Sequence, residues 1–465
     1  MNLLLPLIVL IFIVWLSSLN WRKSVKLALI IVVLEGALRK WVLPQASDLI
    51  YFLKDIILLG AYLRFYLSSE PKYHGKAGFF TNTLFLCTAW CAFQIFNPSL
   101  GSPIIGLFGF KAYLFYIPLM WMIPTLFESQ EKLYQFLRNY LLLVIPVSIL
   151  AIAQFFSPTD SPLNVYAASA VKIIATAGEN VRVTGTFPYI VGYSTYMSFC
   201  FTVLMPILSL PQPKKWQIIT FIEAFLVVGT SFMTGARGLV VFEILFLLGY
   251  FSLLWLTQPS KAIQNTKKFI LPIFLISAVV PVFFQKGIEA FFTRATTSSD
   301  SGNFSDRAFS AFTEPVAAMQ FKGFDSYGIG ATHPAIPVLR NALQLYSGEA
   351  LPPSEGEMGR VVMEIGIFGF ILWYALRLYL IISLFGTFLK LKTPFLGNLA
   401  LAIFLFHAIN FTGQLIFNTT FGVYYWFFSG FIFLLPQLEY QQLLFYQNQT
   451  HQSYVQSQYF TNTSN

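Results

Sequence analysis

Apolar runs of helix length occupy most of the chain and are separated by short polar turns. The runs are about 17–25 residues long, whereas the strands of a membrane β-barrel would be alternating segments of about 10 residues. The pattern therefore predicts an all-α polytopic membrane protein. We expect about 12–13 transmembrane helices, near residues 3–18, 24–38, 49–66, 78–95, 104–127, 135–157, 188–209, 216–233, 239–256, 269–285, 360–384, 396–411 and 419–437.

Two long polar stretches, 158–187 and 286–359, interrupt this pattern. The second exceeds the roughly 15 residues beyond which structureless connections usually have a function, and its aromatic residues predict short helices packed on the bundle. We expect one transmembrane helical domain over 1–438, including both stretches. Residues 439–465 are rich in Gln and Asn, and we interpret them as a disordered cytoplasmic tail.

The basic residues predict the orientation of the helices. They fall in alternate loops, which the positive-inside rule assigns to the cytoplasm. Both polar stretches then lie on the outer face. The residues that carry this signal are Arg22, Lys23, Lys26, Arg64, Lys72, Lys76, Lys132, Arg138, Lys214, Lys215, Lys261, Lys267, Lys268, Lys390 and Lys392.

Composition agrees with a membrane protein, since 56% of residues are hydrophobic and only 11% are charged, against roughly a quarter charged in soluble domains. The formal charge of +9 does not predict a nucleic-acid partner, because the basic residues follow the loops. Cys87, Cys91 and Cys200 lie in apolar runs without metal-ligand or disulfide spacing, so we expect neither a metal nor a cofactor.

A charged stripe begins the hydrophobic run that follows the large polar stretch. Glu357, Arg360 and Glu364 fall within about 60° of one another on a helix. Ionisable groups at a membrane boundary are costly unless they face a protein interior or a wet cavity. The stripe is therefore either a wall of a functional cavity or a purely structural ionic ladder.

Cationic residues at the predicted outer face indicate an anion site. Arg182 leads directly into the run 188–209, and Arg237 lies in a glycine-containing turn between two runs. A guanidinium binds phosphate oxygens through a planar fork of donors. Lys111 lies inside an apolar run and requires a phosphate, a cavity or a carboxylate, for which Glu35 and Asp55 are the candidates.

The large polar stretch adds Arg307 and His333. A histidine there could accept a proton, although a lone loop histidine is more often structural. No Walker-type phosphate loop is present, so ATP-driven transport is not expected.

Four motifs together resemble the O-antigen ligase and polymerase superfamily. They are Arg182-Val-Thr-Gly-Thr-Phe before a helix, Thr234-Gly-Ala-Arg-Gly at a tight turn, the break Gly328-Ile-Gly after an Arg307 helix, and Glu364-Ile-Gly-Ile-Phe-Gly. The resemblance implies a metal-independent glycosyltransferase of the bacterial inner membrane, whose active site faces the periplasm. It further implies an undecaprenyl-diphosphate-linked glycan donor, with the diphosphate held by Arg182, Arg237 and Arg307.

The ligases of that superfamily commonly carry a histidine followed by asparagine shortly before the Glu-x-Gly element. Here that place holds Ser354, Glu355, Gly356 and Glu357. We therefore expect a polymerase of lipid-linked repeat units, with Glu357, or else Glu355, as the base. Arg360 would orient this base, and Glu364 would pair with Arg360.

Two other functions stay open: a ligase that transfers glycan to lipid A core or protein, and a polysaccharide transporter or flippase. A transporter predicts polar residues along mid-membrane helices and broken half-helices. For the polymerase, the expected partners are the lipid-linked donor, a glycan acceptor, the bilayer and possible chain-length-regulator and flippase proteins.

Overall fold

A computed structural model describes residues 4–69, 78–167, 173–297, 304–322, 325–352, 354 and 356–462. Helices dominate the first third of the chain. In order, they are α1 (Leu4–Leu19), α2 (Trp21–Ala37), α3 (Ser47–Tyr51), α4 (Leu53–Leu67), α5 (Phe79–Gln94), α6 (Pro103–Leu114), α7 (Leu119–Leu126), α8 (Gln130–Leu141) and α9 (Val144–Phe155).

A short antiparallel hairpin follows, formed by β1 (Thr176–Ala177) and β2 (Asn180–Val181), with Thr176 paired to Val181. The remaining elements are again helical. They are α10 (Ile190–Leu208), α11 (Lys214–Met233), α12 (Arg237–Thr257), α13 (Pro259–Phe283), α14 (Gln285–Thr297), α15 (Phe304–Lys322), α16 (Ile336–Leu343), α17 (Glu357–Lys390), α18 (Pro394–Ile409), α19 (Thr419–Ser429) and α20 (Phe431–Asn462).

The prediction of an all-α, multi-pass membrane protein is confirmed. Among the described residues, seven helical segments are long and apolar enough to span a bilayer, or eight if the α13–α14 pair, bent by 82°, is one span. This is fewer than the predicted 12–13. Several predicted spans are shorter or divided in the structure. For example, 24–38 falls in the charged helix α2, and 49–66 is divided between α3 and α4.

Helix α17 is broken near its beginning. Gly366 has φ 67° and ψ 179°, a conformation that essentially only glycine adopts. Glu357 and Arg377 are 20 residues apart, which in a continuous helix is roughly 30 Å. Their side chains nevertheless meet at 3.0 Å. The half-helix before Gly366 therefore folds back on the half that follows it.

Indole and backbone contacts hold this break in place. Trp90 on α5 donates from Nε1 to the Ile365 carbonyl at 2.7 Å, which provides a partner for a carbonyl at the interruption. Beside it, the Tyr327 amide donates to the Met363 carbonyl at 2.7 Å. The half-helix is thus fixed between α5 and the segment 325–335.

The described parts of both polar stretches lie at one end of the bundle, which we call the loop end. The Thr186 hydroxyl donates to the Val33 carbonyl, at the end of α2. In the second stretch, Gly330 approaches α6 so closely that a Cβ on Gly109 would lie 2.4 Å from the Gly330 nitrogen. The segment 325–335 therefore packs between helices rather than above them.

Helix α20 extends from Phe431 to Asn462, through most of the Gln- and Asn-rich tail. The disorder that composition indicates after residue 438 stays a prediction. The sequence after Pro436 contains neither Gly nor Pro, so no strong helix breaker ends α20 where the apolar run ends.

We expect Gly366→Ala to destabilise the protein by about 1–3 kcal/mol, because alanine cannot adopt this backbone conformation without strain. Gly386→Ala is the matched control, since Gly386 lies in the same helix and a Cβ there meets nothing within 4 Å. Thermal unfolding of both variants in detergent measures the difference. Equal Tm values for the two variants would contradict the strained break.

Candidate functional site

Three arginine side chains converge on the turn between α11 and α12, and we call Arg182, Arg237 and Arg294 the arginine cluster. Arg182 donates from Nε to the Thr234 carbonyl at 2.8 Å. Arg237 donates from Nη2 to the Arg294 carbonyl at 2.7 Å. Arg294, on α14, donates from Nη1 to the Gly235 carbonyl. The structure thus brings together the predicted pair Arg182 and Arg237.

The turn itself requires glycine. Gly235 has φ 59°, and a Cβ at this position would lie 3.2 Å from Arg182 Nε. Thr234 Oγ1 accepts a hydrogen bond from the Ala236 amide at 2.9 Å. The left-handed turn therefore allows a guanidinium to approach the backbone closely.

The cluster brings like charges close together. Burial, with a smaller contribution from the neighbouring Arg294 cation, lowers the pKa of Arg182 to about 10. Arg182 stays charged at neutral pH, so like charges face one another here. An anion bound between them would relieve this repulsion and accept several charge-assisted hydrogen bonds.

The segment that follows Arg182 is anchored from two sides. Gln154 on α9 accepts from the Thr184 amide at 3.1 Å and from the Gly185 amide at 2.8 Å. Lys40, just beyond α2, donates to Thr184 Oγ1 at 2.6 Å. Because both anchors are buried, the position of Arg182 is fixed by the helix bundle.

Glu357 forms a second charged site within the bundle. It is 1% exposed. Its Oε1 accepts from Arg377 Nη1 at 3.0 Å, and its Oε2 accepts from the Ile416 amide at 2.8 Å. Both carboxylate oxygens are therefore engaged, and the partner is Arg377 rather than the expected Arg360.

The expected pairing of Arg360 with Glu364 is wrong. Glu364 is fully buried and accepts from both the amide and the hydroxyl of Thr332 at 2.8 Å. Arg360 donates to the Ser354 carbonyl at 3.1 Å and lies over the Phe417 ring at 5.0 Å. The predicted stripe is helical, but its members contact different elements and form no ionic ladder.

His333 lies beside this half-helix despite its distance in the sequence. Its ring packs edge-on against Phe108 at 4.8 Å and against Phe417 at 5.9 Å. Nδ1 accepts from the Ala335 amide at 3.1 Å. Within the described chain no hydrogen bond reaches Nε2, so this nitrogen is the available one.

The environment keeps the His333 imidazole neutral. Burial lowers its pKa to about 3, and the nearby Lys111 and Arg360 cations act in the same direction. Lys111 itself forms an ion pair with Asp55 at 2.5 Å. Asp55 is one of the two carboxylate partners that the sequence suggests for Lys111. Lys111 and Arg360 therefore form a second cationic region beside the neutral His333.

Two predicted site residues receive no side-chain description. Arg307 lies in α15, but its side chain is outside the described residues, and Glu355 is outside them entirely. Their predicted roles stay predictions. In the described parts of the chain, no group of three or more His, Cys, Asp or Glu side chains could hold a metal ion.

Comparison of the chain with protein-family models, with curated proteins and with solved structures finds no match. The geometry of the two charged regions is therefore the basis for a functional proposal.

Sequence reasoning missed Arg294, Arg377 and Thr332. Arg377 could have been found, because an arginine in the middle of an apolar run requires a buried partner. Arg294 and Thr332 carry no comparable signal, since both lie in a polar stretch. Only the fold brings them to Gly235 and Glu364.

We expect Glu357→Ala to cost about 3–5 kcal/mol of stability, because it leaves Arg377 buried without its counter-ion. Glu128→Ala is the matched control. It removes the partner of Lys132 from a pair that is exposed and should cost at most about 1 kcal/mol. Chemical or thermal unfolding in detergent compares the two variants. Equal losses of stability would show that the Glu357–Arg377 pair contributes no more to stability than an exposed pair.

We expect acidification to destabilise the protein partly through His333. Its pKa is about 6.5 when unfolded and about 3 when folded, so the unfolded chain binds more protons between these values. The contribution of His333 to stability therefore falls as pH decreases from 6.5 towards 3, and it is constant above pH 6.5. His333→Gln should make Tm less sensitive to pH between 7 and 4. An unchanged pH dependence would contradict the neutral buried imidazole.

Proposed function

We propose that the protein is a membrane glycosyltransferase that polymerises undecaprenyl-diphosphate-linked oligosaccharide repeat units. The observation that carries this proposal is the convergence of Arg182, Arg237 and Arg294 on one turn at the loop end. Multiple guanidinium groups suit a diphosphate, which carries several negative oxygens. Apolar helices adjoin the turn, as a lipid-linked diphosphate requires.

The arginine cluster supplies the electrostatic part of the reaction. The acceptor hydroxyl oxygen forms a bond to the anomeric carbon of the donor glycan, and the bond from that carbon to the diphosphate oxygen breaks. The electron pair leaves with the diphosphate. Fixed positive charges where negative charge develops are the usual large contribution to such a step.

The hydroxyl proton requires an acceptor. We expected Glu357, but Arg377 and Ile416 engage both of its oxygens. These contacts favour a positioning role for Glu357. His333 is the alternative acceptor, because its Nε2 has no hydrogen bond among the described residues, and an anion bound near Lys111 and Arg360 would offset the cations that lower its pKa.

The setting of the reaction follows from the resemblance and the charge pattern of the loops. We propose that the loop end faces the periplasm from the bacterial inner membrane. The donor would enter from the bilayer, and the acceptor would be another lipid-linked glycan. A flippase and a chain-length regulator are the expected protein partners.

A transporter or flippase is the second candidate, and a specific observation favours it. Helix α17 is broken at Gly366, and broken helices are typical of transporter binding sites. Buried charged pairs such as Arg138 with Glu223 also lie within the bundle. A transporter would move the glycan lipid without forming a new bond.

Incubation of the full-length protein in detergent with a lipid-linked repeat unit distinguishes these functions. A polymerase gives a ladder of longer lipid-linked glycans. Transfer of one glycan to an added lipid A core or protein acceptor, without a ladder, would identify a ligase. An unchanged substrate, together with glycan-lipid movement in proteoliposomes, would identify a transporter and contradict the proposal.

We expect Arg182→Lys to slow polymerisation about tenfold to a hundredfold, because lysine lacks the planar fork of donors. Arg340→Lys is the matched control. Arg340 also donates to backbone carbonyls, those of Tyr346 and Leu100, but lies outside the arginine cluster. Initial rates at equal amounts of folded protein measure the effect, and similar rates for both variants would remove Arg182 from the site.

A further inference from the structure

Two connected cavities lie between α10, α11 and α13. The first is an apolar groove of about 340 Å³ that continues to α12 and α14. The second has a volume of about 410 Å³ and a partly polar lining. Leu208, Ala224 and Pro272 line both, so the cavities are continuous. Each falls within the roughly 300–1,000 Å³ typical of ligand sites.

The groove has the length and lining for a hydrocarbon chain. Along α11 the two cavities extend from Gln217 to Phe232, which is about 22 Å of helix. In the groove, the one polar lining residue is Ser277. Its hydroxyl donates to the Ile273 carbonyl at 2.6 Å and therefore leaves the groove apolar in character.

The polar end carries an ammonium group. Lys268 Nζ donates to the Ser209 carbonyl at 2.7 Å, and among the described residues Lys268 forms no ion pair. An ammonium has three donors, so it can bind an anionic oxygen as well. Gln212 and Gln217 line the same cavity and add amide groups.

The surrounding charge favours an anion at this end. Lys214 and Lys215 begin α11, one turn before Gln217, and both are exposed. The opposite end of the groove is formed by Phe232, Pro281 and Ile288, which are apolar. The polar lining is concentrated in the cavity at the Lys268 end, which therefore suits the anionic head of an amphiphile.

We infer that the connected cavities bind one anionic phospholipid, with its phosphate at Lys268 and an acyl chain in the groove. Lys214, Lys215 and Lys268 are among the basic residues whose pattern along the chain indicates the cytoplasmic side, so the lipid would come from the cytoplasmic leaflet. Basic pockets between membrane helices are typical sites for anionic headgroups. This inference is independent of the proposed glycosyl transfer.

Native mass spectrometry of the full-length protein with defined lipids tests the site. The probes are dioleoyl phosphatidylglycerol and dioleoyl phosphatidylcholine, which share acyl chains and differ in charge. The wild-type protein should retain one phosphatidylglycerol in preference to phosphatidylcholine. Lys268→Gln should lower that retention about fivefold, as expected for one lysine at a membrane surface. Lys390→Gln should not, because Lys390 lines neither cavity.

A second variant tests the groove. Ser277→Trp places a large side chain where the acyl chain lies, at an exposed position that should tolerate it, and should lower retention of both lipids. Equal retention of the two lipids by the wild type, or equal effects of Lys268→Gln and Lys390→Gln, would overturn the inference. So would displacement of phosphatidylglycerol by undecaprenyl phosphate regardless of residue 268, which would assign the groove to an isoprenoid chain.

Discussion

The buried ion pair between Glu357 and Arg377 is the interaction on which the loop end depends. Two charges inside an apolar bundle are costly unless each meets a partner. Here the partners lie on opposite sides of the Gly366 break, so the pair is satisfied only when α17 folds back. The same folding places Glu364 against Thr332 and Arg360 over Phe417. One local break thus organises the contacts of the whole stripe.

The two cationic regions have different chemical environments. In the arginine cluster, guanidinium groups face backbone carbonyls of a glycine turn and one another. Around His333, the cations Lys111 and Arg360 lie beside aromatic rings and a neutral imidazole. The first environment suits a multiply charged anion, and the second suits proton transfer. A reaction that releases a diphosphate and removes a hydroxyl proton requires both.

Much of the fold could be predicted because the length and hydrophobicity of the runs are local properties. The helical class follows from them, as does the helical stripe from 357 to 364. The number of spans is harder to predict from the sequence, because helices such as α2 carry charges that the fold buries in pairs. Glu35 with Lys54 is one such pair. Tertiary partners such as Arg377 for Glu357 depend on a break at one glycine, which no periodicity indicates.

For the same reason, the sequence indicates the proximity of Arg182 and Arg237 but not that of His333 and Glu364. Arg182 and Arg237 lie close to the beginnings of α10 and α12. The ends of neighbouring helices on one side of a membrane lie close together. His333 and Glu364 lie 31 positions apart in the sequence, and only the packing of 325–335 between α5, α6 and α17 brings them near one another. Distance along the sequence was therefore a poor guide within the large polar stretch.

The most direct test of the account is a cryo-EM structure of the protein in nanodiscs with undecaprenyl diphosphate. The account predicts density for the diphosphate within hydrogen-bond distance of Arg182, Arg237 and Arg294, at the turn around Gly235. A diphosphate bound elsewhere, with the arginine cluster unchanged and unoccupied, would contradict the assignment of this cluster as the donor site.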